Sequence, residues 1–219
     1  MKRKISIVMI VTLILATVFS VNGFAATSTK TEALLDKVSN SKKIAVTMTT
    51  GSAVLGTTTD TYYINGDAAA YDHSMGFTNL RVVIRDGKAY AYFPILPFFY
   101  AQMDTGLINV DVSKIIKSSV GLTKGITHFE KSYDETLDGK TYYVEQFNDG
   151  ATVTLKFYYD GDDLKLLSVY DASTKSTQNT YFEKITFDVD DSVTAAPKGL
   201  DITPFIQAFI IGMIGSALV

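Results

Sequence analysis

Between the apolar runs of this chain an asparagine or aspartate repeatedly precedes a glycine: Asn65-Gly66, Asp86-Gly87, Asp138-Gly139, Asp149-Gly150 and Asp160-Gly161. Such a pair tolerates the positive φ angles of tight hairpins, so each occurrence predicts a strand, a turn and an antiparallel return. Gly139, Gly150 and Gly161 recur every 11 residues. That leaves strands of about eight residues, an ordinary length. The residues between the turns alternate as half-buried strands do. Ile44, Val46 and Met48 interleave with Ala45, Thr47 and Thr49, and Leu80, Val82 and Ile84 alternate around two arginines. Thr57 to Ile64 is rich in threonine and tyrosine, and Val153, Leu155, Phe157 and Tyr159 alternate with Thr154, Lys156 and Tyr158. Ile185, Phe187 and Val189 do the same with Thr186, Asp188 and Asp190. The expectation is an antiparallel meander with one wet face.

Helical patterns punctuate it. Thr29-Lys30-Thr31-Glu32 fits a capping box, after which Leu34, Leu35 and Val38 share a face. Asp111 can cap a second helix with Val112, Ile115, Ile116 and Val120 on one side and Lys114 and Lys117 on the other. Thr203 can cap a third that opens at Pro204, where proline is favoured. From Phe205 to Val219 only Gln207 and Ser216 are polar, so this helix must be buried in something. Its rise of roughly 22 Å falls short of a ~30 Å hydrocarbon core, which makes it a poor spanning helix. Three readings follow: it plugs a cavity of its own domain with Phe205, Phe209, Met213 and Ile214, it lies in a membrane interface, or it mediates self-association through Gly212 and Gly215.

The amino end reads as a secretory signal peptide. Lys2, Arg3 and Lys4 form a positive start, Ile5 to Phe19 is nearly all apolar, and Gly23, Phe24 and Ala25 place small residues before a cut after Ala25 or Ala26. The chain has no cysteine. That excludes disulfides, thiolate metal sites and cysteine nucleophiles, and leaves nothing to acylate at the cut. The expectation is an exported, unlipidated protein of the cell envelope or exterior. Of 20 basic side chains three sit in the leader, against 23 acidic ones in all. An acidic chain without a basic cluster lacks the phosphate neutralisation on which nucleic-acid binding depends.

Catalytic patterns are sparse. Asp72-His73-Ser74 has the residue types of a triad, but sequence neighbours point different ways and triads assemble across space, so a polar turn is expected. His128 is solitary, which suits a surface strand better than a metal site. Asp160, Asp162 and Asp163 start like a calcium loop, yet Gly161 comes early and Asp171 stands where glutamate is needed. There is no phosphate loop and no dinucleotide fingerprint, hence no expected cofactor. A non-enzymatic protein is expected. An exported hydrolase would need two carboxylates converging in a pocket.

Apolar surface stands out instead. Tyr92-Phe93-Pro94-Ile95-Leu96-Pro97-Phe98-Phe99-Tyr100 contains no charge, and its two prolines bar it from a central strand. It should form a loop lying across something apolar, either as an ordinary cover of the core or as the gate of a hydrophobic site.

The helix Glu32 to Val38 leads into Lys42-Lys43-Ile44-Ala45-Val46, and further on come Tyr63-Ile64-Asn65-Gly66-Asp67, the run Val83 to Tyr92 and the run Phe157 to Lys165. In this order and spacing the chain resembles the LolA/LolB superfamily of lipoprotein carriers. The resemblance implies an α+β, mainly antiparallel fold: a strongly curved sheet, an incomplete barrel, covered by short helices over residues 26–200, with the apolar carboxyl-terminal helix at 201–219 as an addition. It implies a concave cavity for acyl chains or another hydrophobic guest, but no family motif assigns residues to it; from the charge-free run, Phe93, Leu96, Phe98, Phe99 and Tyr100 are expected near its mouth. A carrier or sensor of a lipid-like molecule is one expectation. An interaction module for an envelope protein partner, its cavity filled by its own tail, is the other.

Overall fold

The computed structural model describes residues 29–52, 56–74, 78–105 and 128–207. The leader, the helix expected after Asp111, and Phe209, Met213 and Ile214 lie outside the described residues. One α-helix, α1 (Lys30–Asn40), precedes β1 (Lys43–Ser52), β2 (Gly56–Asn65), β3 (Ala68–Ser74), β4 (Asn79–Arg85), β5 (Lys88–Tyr92) and β6 (Phe99–Asp104). There follow β7 (His128–Leu137), β8 (Lys140–Asn148), β9 (Val153–Asp160), β10 (Asp163–Asp171) and β11 (Ser176–Thr186), then a 3-10 turn at Asp191–Thr194 and the short β12 (Leu200–Asp201). The expected turns close the hairpins. Asp86 and Gly87 (φ 52° and 72°) and Asp138 and Gly139 (50° and 79°) take the left-handed conformations that two-residue turns demand.

All the described strands join one open sheet in the order β12-β6-β5-β4-β3-β2-β1-β11-β10-β9-β8-β7. It is two meanders fused at a seam: β1, the first strand of one, pairs antiparallel with β11, the last of the other, through partners such as Val46 and Ile185. Hairpins are local, whereas this seam links residues far apart in the chain. The open, mostly antiparallel sheet fits the curved sheet that was expected. Of the helices expected to cover it, α1 and the start of a helix at 203–207 are described.

The core lies under α1 at the seam. Leu35 is buried with Ile44, Val46 and Met48 of β1, Phe147 of β8, Leu155, Phe157 and Tyr159 of β9, Leu164 and Leu167 of β10 and Phe182 of β11. The capping box forms as expected, with Thr29 Oγ1 accepting from the Glu32 amide at 3.1 Å. The helix is also held from outside. The carboxylate of Glu145, on β8 and 1% exposed, accepts the amides of Lys30 and Thr31 at 2.8 Å each.

The reverse face is not uniformly wet, contrary to the alternation. After β11 the chain crosses it, and the 3-10 turn touches β2, β3 and β4 where Ala68, Ala70 and Val83 are buried. Arg85 donates to the Thr194 carbonyl, and Asn65 donates to Asp191 and to Thr194. The residues of Asp72-His73-Ser74 lie on a strand, not in a polar turn. His73 turns toward Asp60, 2.7 Å from its carboxylate, and Asp72 faces the other way into a bidentate pair with Arg81 at 2.6 Å. These are partners across neighbouring strands and hold the sheet together.

Candidate functional site

The charge-free segment between β5 and β6 is two consecutive proline turns. The Leu96 amide donates to the Phe93 carbonyl at 2.8 Å, and the Phe99 amide to the Leu96 carbonyl at 3.3 Å. Pro94 and Pro97 therefore sit second in their turns, where a fixed φ is an advantage. Ile95 and Phe98 each come third, and they are the most exposed of these apolar side chains at 66% and 70%, with Leu96 at 55%. The expected loop forms but does not lie across the core. Rigid turns present its side chains outward.

The neighbouring strands extend this surface. By register Ala101 and Met103 of β6 face Ala91 and Ala89 of β5, so Phe99, Ala101 and Met103 share the α1 side of the sheet. Leu200 of β12 lies beside Phe99 in a parallel pair. Phe93, Phe99, Met103 and Leu200 are all exposed large hydrophobics. Tyr100 points to the reverse face, its ring edge-on to Tyr90 at 5.9 Å, and so parts company with the other four residues singled out in the sequence. Ile95 and Leu200 belong to the surface although the sequence did not single them out. Ile95 could have been named from its place in the same run, while Leu200 arrives only through the strand pairing.

The tail is fastened along β6 by backbone contacts. The amides of Leu200 and Ile202 donate to the carbonyls of Phe98 and Tyr100 at 2.8 Å, and the Gln102 amide donates to Thr203 Oγ1 at 2.7 Å. Bonds from Thr203 and Gln102 hold the Asp201 carboxyl below the usual carboxylate range. Gly199 lies against the Phe98 backbone so closely that a Cβ would stand 2.3 Å from its carbonyl oxygen. Phe205, expected within a cavity, is 68% exposed.

Among the described residues, two further concavities stand out. A groove of about 890 Å³ beside α1 is lined by Leu34, Leu164, Ile185 and Phe187 together with charged side chains, and Lys37 Nζ sits 4.2 Å over the Phe187 ring. A polar pocket of about 370 Å³ brings Asp67, Asp86 and Asp191 together with Asn65 and Arg85. Its Asp191 carboxyl is held below the usual range by Lys43, 2.6 Å away, and by Asn65, so it offers no proton near neutrality. Among the described residues no three His, Asp or Glu side chains converge as a metal site, and no helix is long and apolar enough to cross a membrane.

No family model and no curated protein matches this sequence. Among solved structures the chain is similar to an uncharacterized conserved protein from Thermus thermophilus, at 8% identity and a TM-score of 0.40, over 79% of this chain and 98% of that one. It is also similar to MucB, solved in complex with MucA(peri), at 9% identity and a TM-score of 0.40, over 76% of this chain and 58% of the MucB chain. Neither likeness assigns a role to a residue.

Proposed function

We propose that this chain is an exported, non-enzymatic protein of the cell envelope that binds a lipid-like or other hydrophobic ligand, as a carrier or sensor, through the apolar surface at Phe93–Phe99. The observation that carries the reading is the pair of proline turns holding Ile95, Leu96 and Phe98 in solvent. Covering one large aliphatic or aromatic side chain is worth about 1.5–3 kcal/mol, so leaving three exposed on a rigid support costs solubility without helping the fold. Pre-formed turns lose little entropy on binding, which favours affinity.

Native mass spectrometry of the chain, purified without detergent, tests this. A bound apolar adduct that disappears when Leu96 and Phe98 are changed to serine is expected. A clean apo spectrum, together with no uptake of a fluorescent fatty acid, would overturn the proposal.

A further inference from the structure

Exposed apolar side chains are not spread evenly over this molecule. Among the described residues the large ones that face solvent gather along one margin of the sheet, in the proline turns, β6, β12 and the residues after it; only Phe129, Tyr170 and Tyr181 lie elsewhere. The margin is continuous. Phe98 and Phe99 lead to Leu200, which pairs with Phe99, and Met103 lies further along β6. Phe205 and Ile206, 68% and 40% exposed, follow the Thr203 hydroxyl that is fastened to the Gln102 backbone. The twelve residues after Gln207 contain no charged side chain, so the apolar composition continues past the described residues.

The charged side chains on the strands of this margin belong to the reverse face. Tyr100 points there, and Gln102 and Asp104 share its side by alternation. Lys88 opposes Asp104, and Asp201 opposes Tyr100 and accepts from the Gln102 side chain at 2.7 Å. Arg81, opposite Tyr92, is turned to the same side and engaged by Asp72 at 2.6 Å. On the α1 side β6 and β5 present Phe99, Ala101, Met103, Ala89 and Ala91, and the surface continues into Val82 and Ile84 of β4. Lys198, exposed just before Gly199, stands at the rim, where its long stem carries the charge clear of apolar surface.

A surface of this make-up selects its partner. A pocket encloses most of a ligand, whereas Ile95 and Phe98 project from rigid turns and are fully covered only by a medium that surrounds them. Protein interfaces draw their affinity from Tyr, Trp and Arg and pair polar groups across the contact. The exposed side chains here are Phe, Ile, Leu and Met, which offer no strong hydrogen bond, and hydrocarbon asks for none. We infer that this margin of the sheet, led by Ile95, Leu96 and Phe98, docks on the face of a lipid bilayer. The inference rests on the proposed reading that this surface meets lipid, and adds that it does so at an assembled membrane. Anionic headgroups attract proteins through clusters of Lys and Arg, and among the described residues none flanks this margin. Apolar insertion therefore carries the binding, and salt has little hold on it.

Flotation with vesicles tests it, using protein expressed from Ala26, since the described fold begins at Thr29. Binding to large unilamellar vesicles of phosphatidylcholine is expected, and neither added phosphatidylglycerol nor low salt should strengthen it. Ile95→Ser with Phe98→Ser should weaken partitioning at least about tenfold, which is ~1.4 kcal/mol of binding free energy, while Tyr170→Ser with Tyr181→Ser should float like the parent. The chain contains no tryptophan, so Phe98→Trp places a single such fluorophore in an otherwise parental protein. Its emission should shift to the blue when vesicles are added, and lipids brominated along the acyl chain should quench it. Absence of flotation, flotation with anionic vesicles alone, undiminished flotation of the double serine variant at Ile95 and Phe98, or unshifted emission from Phe98→Trp would each overturn the docking. Uptake of a fluorescent fatty acid without flotation would overturn the docking and leave the ligand reading standing, whereas loss of both would remove both.

Discussion

The carboxylate of Glu145 closes the amino end of α1 by taking the backbone amide of Thr31, 2.8 Å from its Oε2, while its other oxygen takes that of Lys30. Both oxygens of a side chain 1% exposed are thus used on amides that a helix leaves without internal partners. The positive end of the helix faces the negative group, which favours the arrangement further. Tyr159 adds a contact, its hydroxyl 2.9 Å from Thr31 Oγ1.

Replacing Glu145 should therefore loosen α1. Glu145→Gln keeps the shape but trades one charged acceptor for a donor, and a cost of about 2 kcal/mol is expected. Urea unfolding measures it. Hydrogen exchange should show the amides of Lys30 and Thr31 losing protection before those of β8 and β9. Equal loss across the sheet would mean that the carboxylate does not act through the helix.

The tail tolerates no side chain at Gly199. A Cβ there would stand within 3 Å of three backbone atoms of Phe98, and backbone cannot swing aside as a side chain can. Gly199→Ala should detach the segment from β6 and make the chain beyond Lys198 sensitive to limited proteolysis, with protection of the Ile202 amide lost. An unchanged digestion pattern would contradict the closeness of this contact.

Stability and binding should separate at the proline turns. Ile95, Leu96 and Phe98 are mostly exposed, so Leu96→Ser with Phe98→Ser should change unfolding free energy by no more than about 0.5 kcal/mol. Uptake of an apolar dye should fall strongly in the same variant. A large drop in stability would mark these residues as part of the core after all.

High pH should unfold the protein through its tyrosines. Burial raises the phenols of Tyr62, Tyr71 and Tyr159 well above their ordinary value of 10.0, and Tyr71 is further held neutral by donating to Asp60 at 2.9 Å. A raised folded value means that the unfolded chain loses these protons first. Stability is therefore intact below pH 10.0 and declines as pH rises beyond it. Absorbance of phenolate and circular dichroism recorded together should show some of the 13 tyrosines ionising with the fold intact and the remainder only as it melts. Ionisation of all of them in one early wave would contradict this.

Local rules made much of the molecule legible in its residues. The Asx-Gly pairs specified the hairpins because few residues take positive φ cheaply, the threonine and glutamate before Leu34 specified the helix start, and two prolines kept Phe93–Phe98 out of a strand. Those forces act within a few residues and can be read in order along the chain. What only the tertiary structure decided was set by contacts between distant segments. The pairing of β1 with β11 created the core, Glu145 reached α1 across more than a hundred residues, and the crossing near Thr194 buried Val83 on a face that alternation marks as wet. The outward display of Ile95 and Phe98 belongs to the same class. Hydrophobicity says how much a side chain gains from burial, but which side chains are covered depends on where the rest of the chain comes to lie.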